Sequence, residues 1–252
     1  MIKAEGFMTK AALYDWSALD RELLAEMVYF TSVNVVGNTL SPTVFSNRIR
    51  EILRFFKIPV KVRSCYNTKT DKKSVWVGGL YDSVLDQKDA TSITLCMQYH
   101  SPDVAIKASK NSFHRVCMAI ADTIMHEVIH MRQYRRRGYK DIPGYESSAN
   151  LARKRNEQIY LGHDDEIDAY SFNIACQLLD RFNGDKQQII DYLNKDLQDK
   201  RLKKDGYRMY LDAFDHNHGH RVIKKLKKKV INYIPNAVEL AKPYKTSDWL
   251  KK

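Results

Sequence analysis

No apolar run in this chain approaches the length needed to cross a bilayer as a helix, so an integral helical membrane protein is excluded. The first residues, Met1 to Trp16, lack the apolar centre of a secretory signal, and the expectation is a cytoplasmic protein. Cysteine is scarce. Cys65, Cys96, Cys117 and Cys176 are widely scattered with no C-x-x-C among them. That spacing argues against a zinc knuckle or a disulfide frame and predicts four reduced, core-forming thiols. Internal repeats and low-complexity tracts are also missing.

What remains is a chain of 252 residues, 44% hydrophobic, long enough to bury a sizeable core. Composition and pattern suggest an N-terminal helical segment over 1–40, a main domain over 41–194 and a basic helical extension over 195–252. Leu19, Leu23, Met27 and Phe30 recur at helical spacing. Ser41-Pro42 opens a second helix through Val44, Ile49, Ile52, Leu53 and Phe56, which Pro59 closes. From Val60 the period changes to two. Val60–Val62 and Ser74–Val77 read as strands joined by a turn over Asn67–Lys73, with Gly78-Gly79 ending the second. Thr91–Tyr99 alternates, placing Ile93, Leu95, Met97 and Tyr99 on one face.

The stretch Asn111–Gly138 carries the chemistry. It is apolar nearly all round from Val116 to Val128, as a helix in a domain centre should be. Asn111 or Ser112 can cap its start, while Arg135, Arg136, Arg137 and then Gly138 suit its end. Within it lies His126-Glu127-Val128-Ile129-His130. Two histidines four apart share a helix face and can present both imidazoles to one metal ion, with Glu127 placed to act on a nearby water. With 8 His in the chain, an accidental H-E-x-x-H is expected on the order of once in a hundred such sequences.

A zinc site of this kind needs a third protein ligand. Glu166 is the candidate, in a predicted helix that starts at Asp164-Asp165, repeats through Ile167, Tyr170, Ile174 and Leu178, and ends before Gly184. Asp165, Asp168 and His163 compete for the role, and a solvated acidic helix start is the plainer alternative.

H-E-x-x-H followed by Glu166-Ile167-Asp168-Ala169 resembles the gluzincin branch of the zinc metallopeptidases. It is most similar to compact bacterial and bacteriophage-encoded metallopeptidases whose second motif is an E-x-[ED]-A helix. The resemblance covers about Thr91 to Leu179. It implies an α+β, zincin-like fold: a small antiparallel or mixed sheet against the H-E-x-x-H helix and a second ligand-bearing helix. It further implies Zn2+ held by His126, His130 and Glu166, with Glu127 as general base, a protein or peptide substrate, and a location in the host cell or virion. Tyr170 stands where thermolysin-like enzymes carry an aspartate that orients a ligand histidine. A phenol can donate a hydrogen bond there but supplies no carboxylate. In zincin-like folds an edge strand just before the long helix receives the substrate by main-chain pairing; Thr91–Tyr99 occupies that position in the chain, with a plain half-buried strand the equal alternative. Tyr160 or His163 is a candidate to stabilise an oxyanion.

The last quarter is basic. Residues 195–252 hold 16 Lys+Arg against 7 Asp+Glu, a net of +9 out of +12 for the chain. The charge concentrates in Arg221–Lys229, beside a narrow apolar stripe of Val222, Leu226, Val230 and Tyr233. A helix docked by that stripe with its lysines solvated is the expected arrangement. The alternative is a footprint for nucleic acid or another polyanion on a binding or virion-assembly protein whose zinc site is structural or vestigial. A basic tail on a protease also resembles the SprT-type repair proteases, although those use a histidine where this chain has Glu166. His216, His218 and His220, on an expected loop, are a weaker candidate for a second metal cluster or for polarising substrate.

Overall fold

The computed structural model describes residues 21–30, 35–141, 152–195 and 205–240. Leu19 lies outside them. The protein is α+β, and its chain divides into two compact units, Met1–Lys140 and Asp141–Lys252. No helix among the described residues is long and apolar enough to cross a membrane.

The first unit is organised on a three-stranded sheet. Helix α1 (Arg21–Phe30) is followed by the short β1 (Thr39–Leu40) and by α2 (Pro42–Phe55). Helix α2 starts where Ser41 accepts from Val44 N, with Pro42 in the first turn, so its boundary is local chemistry. Strands β2 (Val60–Tyr66) and β3 (Trp76–Tyr81) come next, then α3 (Ser83–Gln87), β4 (Ile93–Tyr99), β5 (Ile106–Lys107) and the long α4 (Lys110–Arg136). The main sheet runs β2-β4-β3, with β4 parallel to β2 and antiparallel to β3.

Two expectations fail here. β2 and β3 do not form a hairpin, because β4 inserts between them. Nor is β4 an edge: it is the central strand, and β2 and β3 are the edges of this sheet. Its alternation was a sound guide to burial, since Ile93, Leu95, Met97 and Tyr99 are all fully buried. That pattern reports which face is covered, not which neighbours pair. Gly78-Gly79 also lies inside β3 rather than ending it.

Phe45 of α2 lies edge-on to both Tyr99 of β4 and Phe113 of α4, and Ile49 of α2 and Ile120 and Ile124 of α4 are fully buried in the same unit. Ser109, not Asn111 or Ser112, caps α4, and Ser112 completes a capping box with it. The helix ends at Arg136, and Gly138 follows with φ +60°. An ion pair between Arg21 and Asp122 ties α1 to α4.

The cysteines depart from expectation as well. Cys65 of β2 and Cys96 of β4 form a disulfide, with Cα atoms 5.8 Å apart, whereas Cys117 and Cys176 are free and buried. Cys96 pairs with Arg63 and Cys65 with Gln98. The two cysteines are therefore diagonal neighbours on the less covered face of parallel strands, an adjacency that 31 residues of separation conceal. Burial pushes the Cys117 thiol far up, consistent with an inert core residue.

The second unit is helical: α5 (Arg153–Gly162), α6 (Asp164–Arg181), α7 (Lys186–Asn194), α8 (Gly206–Ala213) and α9 (Arg221–Leu240). Its core joins Ile167, Ile174 and Leu178 of α6 to Tyr207, Tyr210 and Leu211 of α8 and to Ile223, Leu226, Val230 and Ile234 of α9. Helix α9 is therefore docked by an apolar face. Lys225 and Lys229, on its flank, pair with Asp164 and Asp168 of α6 at 2.5 and 2.6 Å.

Candidate active site

Helix α4 presents its polar triplet from a buried segment: His126, Glu127 and His130 are all less than a tenth exposed. The four-residue spacing brings the two imidazole Nε2 atoms to 3.0 Å, with ring centroids 4.7 Å apart and planes near perpendicular. Two nitrogens at about 2.0–2.1 Å from a tetrahedral ion would stand roughly 3.3 Å apart, so the pair fits a shared metal with little adjustment.

The protonation pattern fits too. His130 donates from Nδ1 to Gln133 Oε1 at 2.9 Å, which leaves its Nε2 lone pair facing His126. Histidine ligands commonly have their second nitrogen fixed in this way. Gln133, one turn on from His130, was not singled out in the sequence. The signal was present as an amide at i+3 on the ligand face.

Glu127 lies against strand β3. A Cβ built at Gly79 would fall 2.8 Å from Glu127 Cγ and 2.7 Å from Thr123 Cγ2. Only glycine lets the strand backbone approach the helix this closely, and that is why a glycine interrupts the strand pattern. β3 is an edge of its sheet, with Trp76 and Leu80 each 63% exposed. The strand beside the general-base candidate is thus β3, and not β4 as the order along the chain suggested.

Asp86 anchors the far end of β3 to α4. Its carboxylate, 4% exposed, accepts two hydrogen bonds from Arg135 at 2.7 and 2.8 Å and one each from Tyr81 and Tyr139 at 2.9 Å. Burial alone would raise this carboxyl. The hydrogen bonds from Arg135, Tyr139 and Tyr81 together hold it below the usual range.

In the second unit, Glu166 sits in the first turn of α6 and is 5% exposed. Tyr160 of α5 is hydrogen-bonded to Glu166 and to Tyr170. Burial first, then the charges of Tyr170 and Glu166, push the phenols of Tyr160 and Tyr210 upward, so both stay protonated. Tyr160 and Tyr170 therefore belong to one hydrogen-bonded group around the Glu166 carboxylate.

Two of the competing residues, Asp168 and His163, have other partners. Asp168 pairs with Lys229 and is bonded by Tyr233 at 3.0 Å, and its neighbour Asp164 pairs with Lys225. His163 caps α6 through Nδ1. His216 bonds Asp212 at 3.0 Å, His218 Nδ1 lies 3.0 Å from Lys227, and His220 stacks on Phe214. These three histidines form no metal-binding group among the described residues.

No family model, curated protein or solved structure matches this chain.

Proposed function

We propose that the protein is a zinc metallopeptidase that hydrolyses peptide bonds, with His126, His130 and Glu166 as metal ligands and Glu127 as general base. The observation that carries this reading is the imidazole pair on α4, with Nε2 atoms 3.0 Å apart, one nitrogen oriented by Gln133 and a buried carboxylate next along the helix. The proposed donor set is two imidazole nitrogens, from His126 and His130, and one carboxylate oxygen, from Glu166. Histidine and carboxylate ligands in a two-to-one ratio suit catalytic zinc, which keeps a position open.

Zinc, when bound, supplies Lewis acidity, lowering the pKa of water toward neutrality and polarising a peptide carbonyl. The remaining work falls to the chain. Glu127 accepts the proton of the attacking water and passes it to the leaving amide nitrogen. Gln133 holds His130 in the tautomer that offers Nε2, and Tyr160 donates to Glu166. The exposed edge of β3 beside Glu127 offers main-chain donors and acceptors to an extended peptide. The zincin-like character of the first unit belongs to this same reading.

The direct test measures metal and peptidase activity together. Glu127→Gln retains zinc and loses about 10²–10⁴-fold in hydrolysis, the range of a lost general base, whereas His126→Ala loses the metal. Full activity in Glu127→Gln would end the proposal.

A further inference from the structure

The second unit holds a cavity of about 400 Å³ where α5, α6 and α9 meet. Arg155, His163, His220 and Arg221 line it. Four basic groups of this unit are in ion pairs, Lys154–Asp215, Arg181–Asp205, Lys225–Asp164 and Lys229–Asp168. Arg155 and Arg221 have no acidic partner among the described residues. The one acid on the cavity wall, Asp164, is taken by Lys225, which holds its carboxyl below the ordinary range.

One imidazole adds a donor: His220 accepts at Nδ1 from Val222 N at 3.3 Å, which leaves its Nε2 to donate. The His163 ring accepts at Nδ1 from Asp165 N at 3.4 Å and its Nε2 is buried, so it serves as wall. Gln158 contributes little, since its amide nitrogen donates to Ala213 O. The start of α9 is also charged against its own dipole. Arg221 and Lys224 occupy a first turn with no acidic residue, where the helix already carries partial positive charge, which favours an anion beside Arg221.

The cavity exceeds a lone oxyanion and falls within the range of small-molecule sites. Its other walls are apolar or aromatic: Ile159, Val222, and Phe214 with the His220 ring stacked on it at 4.6 Å. We infer that this cavity binds a phosphate monoester, with the phosphate between Arg155 and Arg221 and a planar organic body against Phe214. Phosphate is favoured over carboxylate because three acceptor oxygens meet two guanidiniums and the His220 N–H better than two oxygens can. The site is independent of the metallopeptidase reading and shares no residue with it.

The test titrates the full-length protein with adenosine 5′-monophosphate and with adenosine at constant ionic strength. The nucleotide binds and the nucleoside does not. Arg155→Gln/Arg221→Gln weakens nucleotide binding about tenfold or more, as loss of charge-assisted hydrogen bonds should. Lys228→Gln, exposed on α9 away from the cavity lining, binds as wild type. Equal binding of the two probes, no binding of either, or undiminished binding by the double variant overturns the inference. Should the double variant fail to fold, histidine ring resonances of the wild-type protein decide. His163 and His220 shift on adding the nucleotide while His100 and His114 stay; any other pattern refutes the site. A 5′-phosphorylated oligonucleotide preferred over its 5′-hydroxyl form would identify the ester as a nucleic-acid end. No preference, with the mononucleotide still bound, identifies a free small molecule.

Discussion

His130 donates from Nδ1 to Gln133 Oε1 across 2.9 Å, so the residue one turn beyond the second imidazole decides which of its nitrogens is available. Gln133→Leu keeps the helix and removes the acceptor. Zinc affinity is expected to fall about 10–100-fold, the usual cost of losing such a partner, with little change in folding. Competition against a chromophoric chelator measures this, and unchanged affinity would deny Gln133 the orienting role.

Gly79 is the second lever. Any side chain there overlaps Glu127 and Thr123. Gly79→Ala is expected to cost about 1–3 kcal/mol of stability, as overpacking does, and to reduce peptidase activity by displacing Glu127 or β3. Gly78→Ala, where a Cβ meets nothing within 4 Å, serves as the control. Denaturant unfolding and a peptide-cleavage assay on both variants make the comparison.

Asp86 sets a pH dependence. Its folded pKa lies below the ordinary carboxylate value of about 3.9, so its contribution is complete above that pH and is lost as pH falls through the depressed folded value. Asp86→Asn is expected to lose about 1–3 kcal/mol at neutral pH, because Arg135 and two phenols lose an ionised acceptor. The two stability curves converge under acid. Parallel curves from pH 7 to pH 2 would contradict the assignment.

The Cys65–Cys96 bond closes a loop of 31 residues in sequence separation. In the chain-entropy account that is worth about 3–4 kcal/mol. Reduction, or Cys65→Ser/Cys96→Ser, is expected to lower unfolding stability by that order, while Cys117→Ser leaves the reductant effect intact. A melting temperature indifferent to reductant would show that the bond does not stabilise the fold.

Much of this protein follows from local pattern. The bounds of α2, α4 and α6 come from capping groups, periodicity and terminal glycines within a few residues of each end, and the facing of the two imidazoles is a property of four-residue spacing on any α-helix. The docking of α9 follows likewise from its apolar stripe. Sheet order does not, because alternation states only which face is buried. It could not tell that β4 enters between β2 and β3, that β3 is the edge beside Glu127, or that Cys65 and Cys96 are neighbours. Nor could it show that Gly79 is the point of closest approach between strand and helix, or that Arg155 and Arg221 line one cavity without acids to match them. The sequence by itself determined the helices and the donor pair on α4, since hydrogen bonds and side-chain spacing within one element need no partner. Tertiary structure alone decided which strand lies against that pair and which charges go unmatched, since those depend on segments far apart in the chain.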